Sequence, residues 1–95
     1  MVYKQIQVVY IVKQWKNVFG INLYPHSEII CETYEAACRE LAFFERRLVG
    51  KGWKRFGVRE QIRHTEPIDV EIEYRYEKFG FFQQRIEIQT WCVLS

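Results

Sequence analysis

IDVEIEYRYE, the segment from Ile68 to Glu77, alternates apolar and charged side chains at every step. Such a period of two predicts a β-strand with one face on a core and the other face in water. The flanking segments Trp53–His64 and Phe81–Val93 supply the neighbours that such a strand needs. Turn-forming residues separate the three segments at 65–67 and at 78–80. This half of the chain therefore predicts a three-stranded antiparallel meander.

Two more strands are expected near the N-terminus. Val2–Trp15 is rich in Val, Ile and Tyr and is apolar on both faces, which is typical of a central strand. We expect Lys16 and Asn17 to turn the chain, because polar residues interrupt the apolar run there. Val18–Tyr24 would then pair back as a shorter strand that ends before Pro25.

One helix is predicted, from Thr33 to Val49. Thr33 is a suitable N-cap, and Gly50 fits the left-handed position that often follows a last turn. The apolar stripe at helical spacing comprises Tyr34, Ala37, Cys38, Leu41, Phe44 and Leu48. The chain thus predicts a single α+β domain over residues 1–95, with element order ββαβββ. One helix would pack on one face of a four- to five-stranded sheet, either antiparallel or mixed.

Composition excludes several classes of protein. With 48% hydrophobic and 17% aromatic residues, the chain is not a disordered one. It has no uncharged apolar run of about 18 residues, and its first residues lack a signal-peptide pattern, so no membrane partner is expected. Cys31, Cys38 and Cys92 form no CxxC pair. We therefore expect free thiols and a cytoplasmic location.

Catalytic and metal-binding motifs are not found in the sequence. His26 and His64 are the only histidines, and neither has the spacing of zinc ligands. A cysteine nucleophile needs a neighbouring base and an orienting acid. Cys31 near His26 is the arrangement that comes nearest to this, but it lacks a family signature, so a thiol-dependent enzyme is only a remaining hypothesis. We expect a non-enzymatic protein with no catalytic residue, no metal, no cofactor and no small-molecule substrate.

The net charge of +2 hides an uneven distribution. Among the charged side chains of residues 46–63, seven are basic and one is acidic, whereas residues 66–77 hold five acids and one base. Antiparallel pairing of these two blocks would set Arg63 opposite Asp69 and Arg59 opposite Glu73.

Arg85 would face Glu73 from the next hairpin. Each such cross-strand ion pair would contribute about 0.2–1 kcal/mol. The sequence leaves open whether these charges pair internally or face a ligand.

The first part of this basic block, residues 46–55, predicts an alternative function. These residues cluster at the helix C-terminus and the next strand, with an aromatic residue among them. Phosphate contacts combined with base stacking would make a nucleic-acid-binding site. Its residues would be Arg46, Arg47, Lys51, Trp53, Lys54 and Arg55.

The aromatic residues predict the main function. The chain holds 3 Trp, 6 Tyr and 7 Phe, more than one helix on one sheet is expected to cover. Exposed aromatic residues are typical of protein interfaces. We expect a small binding or regulatory module acting by protein–protein contact, of the kind found among phage- and plasmid-encoded inhibitors and adaptors. Its partner would be another protein, or a second copy in a homodimer. The expected interface residues are Phe43, Phe79, Phe81 and Trp91.

Overall fold

In a computed structural model of the chain, residues 6–18, 21–80 and 82–94 are described, with side chains over 7–16, 27–80 and 82–92. The elements are β1 Ile6–Val18, β2 Ile21–Cys31, α1 Tyr34–Gly50, β3 Lys54–Arg63, β4 Asp69–Lys78 and β5 Phe82–Leu94. The five strands form one antiparallel sheet in the order β2-β1-β5-β4-β3. The predicted α+β class and the order ββαβββ are confirmed, and the sheet is antiparallel rather than mixed.

β1 is central, as its two apolar faces predicted, because it lies between β2 and β5. The predicted turn at Lys16 and Asn17 is wrong: both residues lie inside β1, where Asn17 pairs with Asn22. β2 also continues through Pro25 to Cys31 instead of ending before the proline. Pro25 lies at a register shift on an edge strand, where a missing N–H group is tolerated.

The helix begins where the sequence predicted. Thr33 Oγ1 accepts a hydrogen bond from the Ala36 N–H at 3.1 Å, which is an N-cap contact. At the other end, Gly50 belongs to α1, and the left-handed glycine is Gly52, with φ of 89°. Backbone N–H groups of residues 51–53 cap the carbonyls of the last turn. The backbone that follows the helix therefore satisfies the carbonyl groups of residues 47–49.

The core lies between α1 and one face of the sheet. α1 packs on β1, β2 and β5, which leaves β3 beyond the edge of the helix. The buried helix residues are Ala37, Leu41, Phe44 and Leu48. The buried strand residues of the same cluster are Tyr10, Val12, Cys31, Val70, Ile72, Tyr76, Ile86 and Ile88. Since α1 does not cover β3, most side chains of that strand are exposed.

The opposite side of the sheet, here called the open face, has an apolar corner. Val9 and Ile11 are buried there although α1 lies on the other side. The indole Nε1 of Trp91 lies 3.4 Å from Gln89 Oε1, and Lys13 Nζ lies 5.6 Å from the ring centre. Gln89 pairs with Ile11 across the strands, so these contacts place the Trp91 ring along the sheet above that corner.

Candidate binding surfaces

The free edge of β3 is the first candidate surface. β2 and β3 are the two edges of the sheet. β2 is interrupted by Pro25 and by two register shifts, whereas β3 has one shift, between Arg55 and Gly57. An edge strand exposes a row of N–H and C=O groups that can pair with another strand. The part of β3 from Val58 to Arg63 is therefore the more regular of the two edges.

Arg59 and Arg63 are left unpaired on this edge strand. Their predicted registers opposite Glu73 and Asp69 are confirmed. However, neither arginine forms an ion pair with any residue that the structure describes. The internal pairing of the two charge blocks is therefore incomplete, and the cations of β3 remain available to a ligand.

The carboxylate of Glu73 is engaged by other arginines. The prediction that Arg85 lies opposite Glu73 is wrong, because Lys78 pairs with Phe82 and the turn falls one residue later than expected. This register sets Glu73 opposite Glu87 and Arg85 opposite Arg75, with like charges facing one another. Instead, the charges pair with residues two positions away on the same strand and, for Arg85 and Glu73, diagonally across β4 and β5.

Arg85 Nε lies 2.7 Å from Glu87 Oε1 and 3.6 Å from Glu73 Oε1. Arg75 Nε lies 3.1 Å from Glu73 Oε1. Arg85 Nε is buried and its contacts do not have hydrogen-bond angles, so its attraction to the carboxylates is mainly Coulombic. The guanidinium also stacks on Trp15, 5.1 Å from the ring centre. This charge cluster stabilises the sheet and is not free to bind a partner.

Three clefts follow β3 from one end to the other. At its start a cleft of about 400 Å³ lies between Lys54 and Phe79. At its middle a cleft of about 360 Å³ is lined by residues 56–59. At its end a cleft of about 400 Å³ lies between Arg63 and Trp91. Clefts therefore lie beside β3 at its start, middle and end.

The last of these clefts opens because β4 and β5 separate. Their backbone pairing ends at Glu71 and Gln89. Beyond that point the Thr90 side chain takes the place of backbone pairing. Its Oγ1 accepts a hydrogen bond from the Val70 N–H at 2.8 Å and donates one to the Val70 carbonyl oxygen at 3.3 Å. A side chain thus holds the strands apart and makes room beside Trp91.

The predicted interface aromatics do not form one patch. Phe79 is 73% exposed at the β4–β5 turn, and Trp91 is 47% exposed near the far end of β5. The nine residue steps of strand from Phe82 to Trp91 separate the two sites by about 30 Å. Phe43, 52% exposed, lies on α1 against Phe44 and Arg47. Phe81 lies outside the described residues.

Two exposed apolar residues on β3 were not among the predicted interface residues. Phe56 is 47% exposed and Val58 is 52% exposed. The signal was weak because the register shift at Gly57 breaks the alternation that marks a strand.

Phe79 also carries backbone strain. Its φ is 57°, in the left-handed region that a bulky residue rarely adopts. Asn or Gly would occupy such a turn position at a lower cost. The ring contacts Phe82 at 6.4 Å between centroids and lies under Lys78 Nζ, yet remains mostly exposed. The turn thus holds an exposed aromatic ring at a position that another residue would occupy with less strain.

The predicted nucleic-acid residues are divided between two places. Arg47, Lys51 and Trp53 line one cleft of about 230 Å³, together with Lys16. This cleft, here called the basic cleft, lies between the C-terminal end of α1 and the sheet. Its other lining residues are Gln14, Ser27, Phe44, Leu48 and Gln84.

The remaining residues of that prediction lie elsewhere. Arg55 pairs with Glu45 at 3.1 Å and stacks on Tyr74 at 5.1 Å from the ring centre. Lys54 lines the cleft beside Phe79, and Arg46 is exposed on α1. Trp53 packs partly against the core, which leaves only part of its indole for stacking.

The cysteines are free, and they differ in burial: Cys31 is buried, Cys38 half-buried and Cys92 exposed. Burial raises the pKa of the Cys31 thiol above its ordinary value, and Glu40 raises the pKa further. Less thiolate forms at neutral pH as a result, and thiolate is the reactive species.

We expect iodoacetamide to modify Cys92 first and Cys31 last in the folded protein, with Cys31 still slow at pH values where a free thiol reacts. Mass spectrometry of peptides after timed labelling measures this order. Fast labelling of Cys31 at neutral pH would contradict it and would revive the hypothesis of a reactive thiol.

The described residues contain no group of three His, Cys, Asp or Glu side chains placed to hold a metal ion. Within the same residues, no helix has the length and apolar character needed to cross a membrane. No family model, curated protein sequence or solved structure matches this chain. The fold and these surfaces define a small α+β domain with an open sheet edge.

Proposed function

We propose that this protein is a non-enzymatic binding module that acts by protein–protein contact, capturing an extended segment of its partner along β3. The observation that carries the proposal is the edge of β3, where a free backbone ladder coincides with unpaired Arg59 and Arg63. Main-chain hydrogen bonds would provide affinity, and the side chains on either face would provide specificity. Phe79 lines the cleft at the start of β3, and Trp91 lines the cleft at its end from β5, across β4.

Charge complementarity defines the partner segment. On the open face β3 presents Lys54, Arg59 and Arg63, and its inner neighbour β4 opposes them with an acidic residue at each position. An added strand on the outer side would meet the same three cations. The favoured occupant is therefore an extended segment with acidic residues at alternate positions and apolar residues between them, next to Val58.

A second copy of the chain fits this edge less well. In an antiparallel pairing of two β3 strands, the arginines of both copies would lie on the same face of the joined sheet. Like charges that are opposed or diagonal across strands are destabilising. The isolated protein is therefore expected to be monomeric. In this proposal it works in the cytoplasm, where its three free thiols stay reduced.

The test uses a short synthetic peptide of alternating glutamate and valine, with a lysine–valine peptide as the control ligand. We expect the acidic peptide alone to bind in isothermal titration calorimetry. The variant R59E/R63E should lose at least about tenfold in affinity, since it replaces attraction by repulsion at two contacts.

The matched control is R39E/R46E, which makes the same charge change on exposed positions of α1. It should keep the affinity of the original protein within about twofold, because screening weakens the effect of distant surface charges. Equal binding of both peptides, an affinity unchanged in R59E/R63E, or a β3-mediated homodimer in analytical ultracentrifugation would overturn the proposal.

A further inference from the structure

The basic cleft contains cations that no acidic side chain neutralises. Lys16, Arg47 and Lys51 line it, and none of its nine lining residues is an aspartate or glutamate. Within the described part of the chain, none of these three cations forms an ion pair. Arg47 has only an aromatic contact, with its guanidinium carbon 5.7 Å from the centre of the Phe43 ring.

The register of the sheet brings the polar residues of the cleft together. Lys16 pairs with Gln84 on the side of the sheet that faces α1, two positions beyond Gln14. Gln84 is buried, 8% exposed, and its Oε1 accepts from Gln14 Nε2 at 2.6 Å. The Gln84 Nε2 group makes no hydrogen bond to a described residue and can donate into the cleft.

Capping of the helix does not account for these cations. Basic residues at a helix C-terminus commonly compensate for its exposed carbonyl groups. Here the backbone N–H of Lys51 reaches the carbonyls of Arg47 and Leu48 at 3.2 and 3.1 Å, and the N–H of Trp53 reaches Leu48 at 3.0 Å. These carbonyls are already satisfied, so the side chains of Arg47 and Lys51 are free to bind an external anion.

We infer that the basic cleft binds a phosphate group. Two ammonium groups, a guanidinium and the Gln84 amide supply charge and hydrogen bonds for a tetrahedral oxyanion. The indole of Trp53 lines the same cleft and offers a partial stacking surface for an attached base. The phosphate could belong to a single-stranded nucleic acid or to a free anion. This site is separate from the β3 edge and does not depend on the function proposed for that edge.

The test measures fluorescence anisotropy with a labelled single-stranded oligothymidylate at about 50 and 200 mM salt. The variant K16A/K51A should lose at least about tenfold in affinity at the lower salt concentration. It should also reduce the slope of log affinity against log salt by about 0.7 for each phosphate contact removed. The control is R39A/R75A, which also removes two cations, because both residues are exposed and neither lines the cleft. It should change the slope less.

A second arm distinguishes the source of the phosphate. Inorganic phosphate is titrated while the side-chain amide resonances of Gln14 and Gln84 are followed by NMR. Saturable shifts that disappear in K16A/K51A, without tighter binding of the oligonucleotide, would assign the cleft to free phosphate. Tighter oligonucleotide binding would assign it to a nucleic-acid chain. If neither probe binds, or if R39A/R75A weakens binding as much as K16A/K51A does, the inference is wrong.

Discussion

The variant I88A is expected to lose about 3 kcal/mol of unfolding free energy, within the range of about 2–5 kcal/mol found for large-to-small core substitutions. Ile88 is 0% exposed on β5, the middle strand of the sheet. It pairs with Val12 on one side and Ile72 on the other, and both neighbours are buried as well. The strands on both sides fix the backbone, so the cavity cannot collapse easily.

Urea unfolding followed by tryptophan fluorescence measures this loss. The control is V58A, which removes a β-branched side chain from a position that is 52% exposed. It should cost less than about 1 kcal/mol, because little apolar surface is returned to water there. Similar losses in both variants would mean that the core does not lie between α1 and the central strands.

The variant R85M is expected to lose about 1–2 kcal/mol of unfolding free energy. Breaking a fully buried ion pair would cost more, but the Arg85 side chain keeps partial contact with solvent. Without the guanidinium, Glu73 and Glu87 would face one another directly across β4 and β5. The stacking contact with Trp15 would also be lost. The cost should shrink at high salt, because part of it is repulsion between two carboxylates.

Two further variants separate charge from packing. R75M removes an arginine whose side chain is 53% exposed and should cost less than about 1 kcal/mol, as exposed ion pairs do. The double variant R85M/E87Q should recover part of the loss, because it removes one of the two facing carboxylates. If R75M costs as much as R85M, the charge cluster is not centred on Arg85.

Much of the fold followed from local patterns. The alternation in Ile68–Glu77 and the helical stripe from Tyr34 to Leu48 each bury one face, and periodicity reports that directly. The N-terminal hairpin was less predictable. Its strands run through Lys16, Asn17 and Pro25. Residues of these types favour turns, but pairing with a neighbouring strand can keep them extended.

The candidate surfaces were less predictable than the fold. Arg59 and Arg63 lie opposite the expected acids, but sequence could not show that the Glu73 carboxylate is engaged by Arg75 on its own strand and by Arg85 on β5. The basic cleft depends on Lys16 and Gln84 meeting across β1 and β5. That contact joins residues far apart in the chain, and it depends on a register that composition does not reveal.

The most direct measurement of the central claim is backbone amide hydrogen exchange along β3, read by NMR with and without the glutamate–valine peptide. Alternate residues of an edge strand direct their N–H groups outward, so a strand added there should protect every second amide from Val58 to Arg63. The amides of α1 should be unaffected. Protection of the helix, or no change along β3 when the peptide is bound, would contradict capture by strand addition.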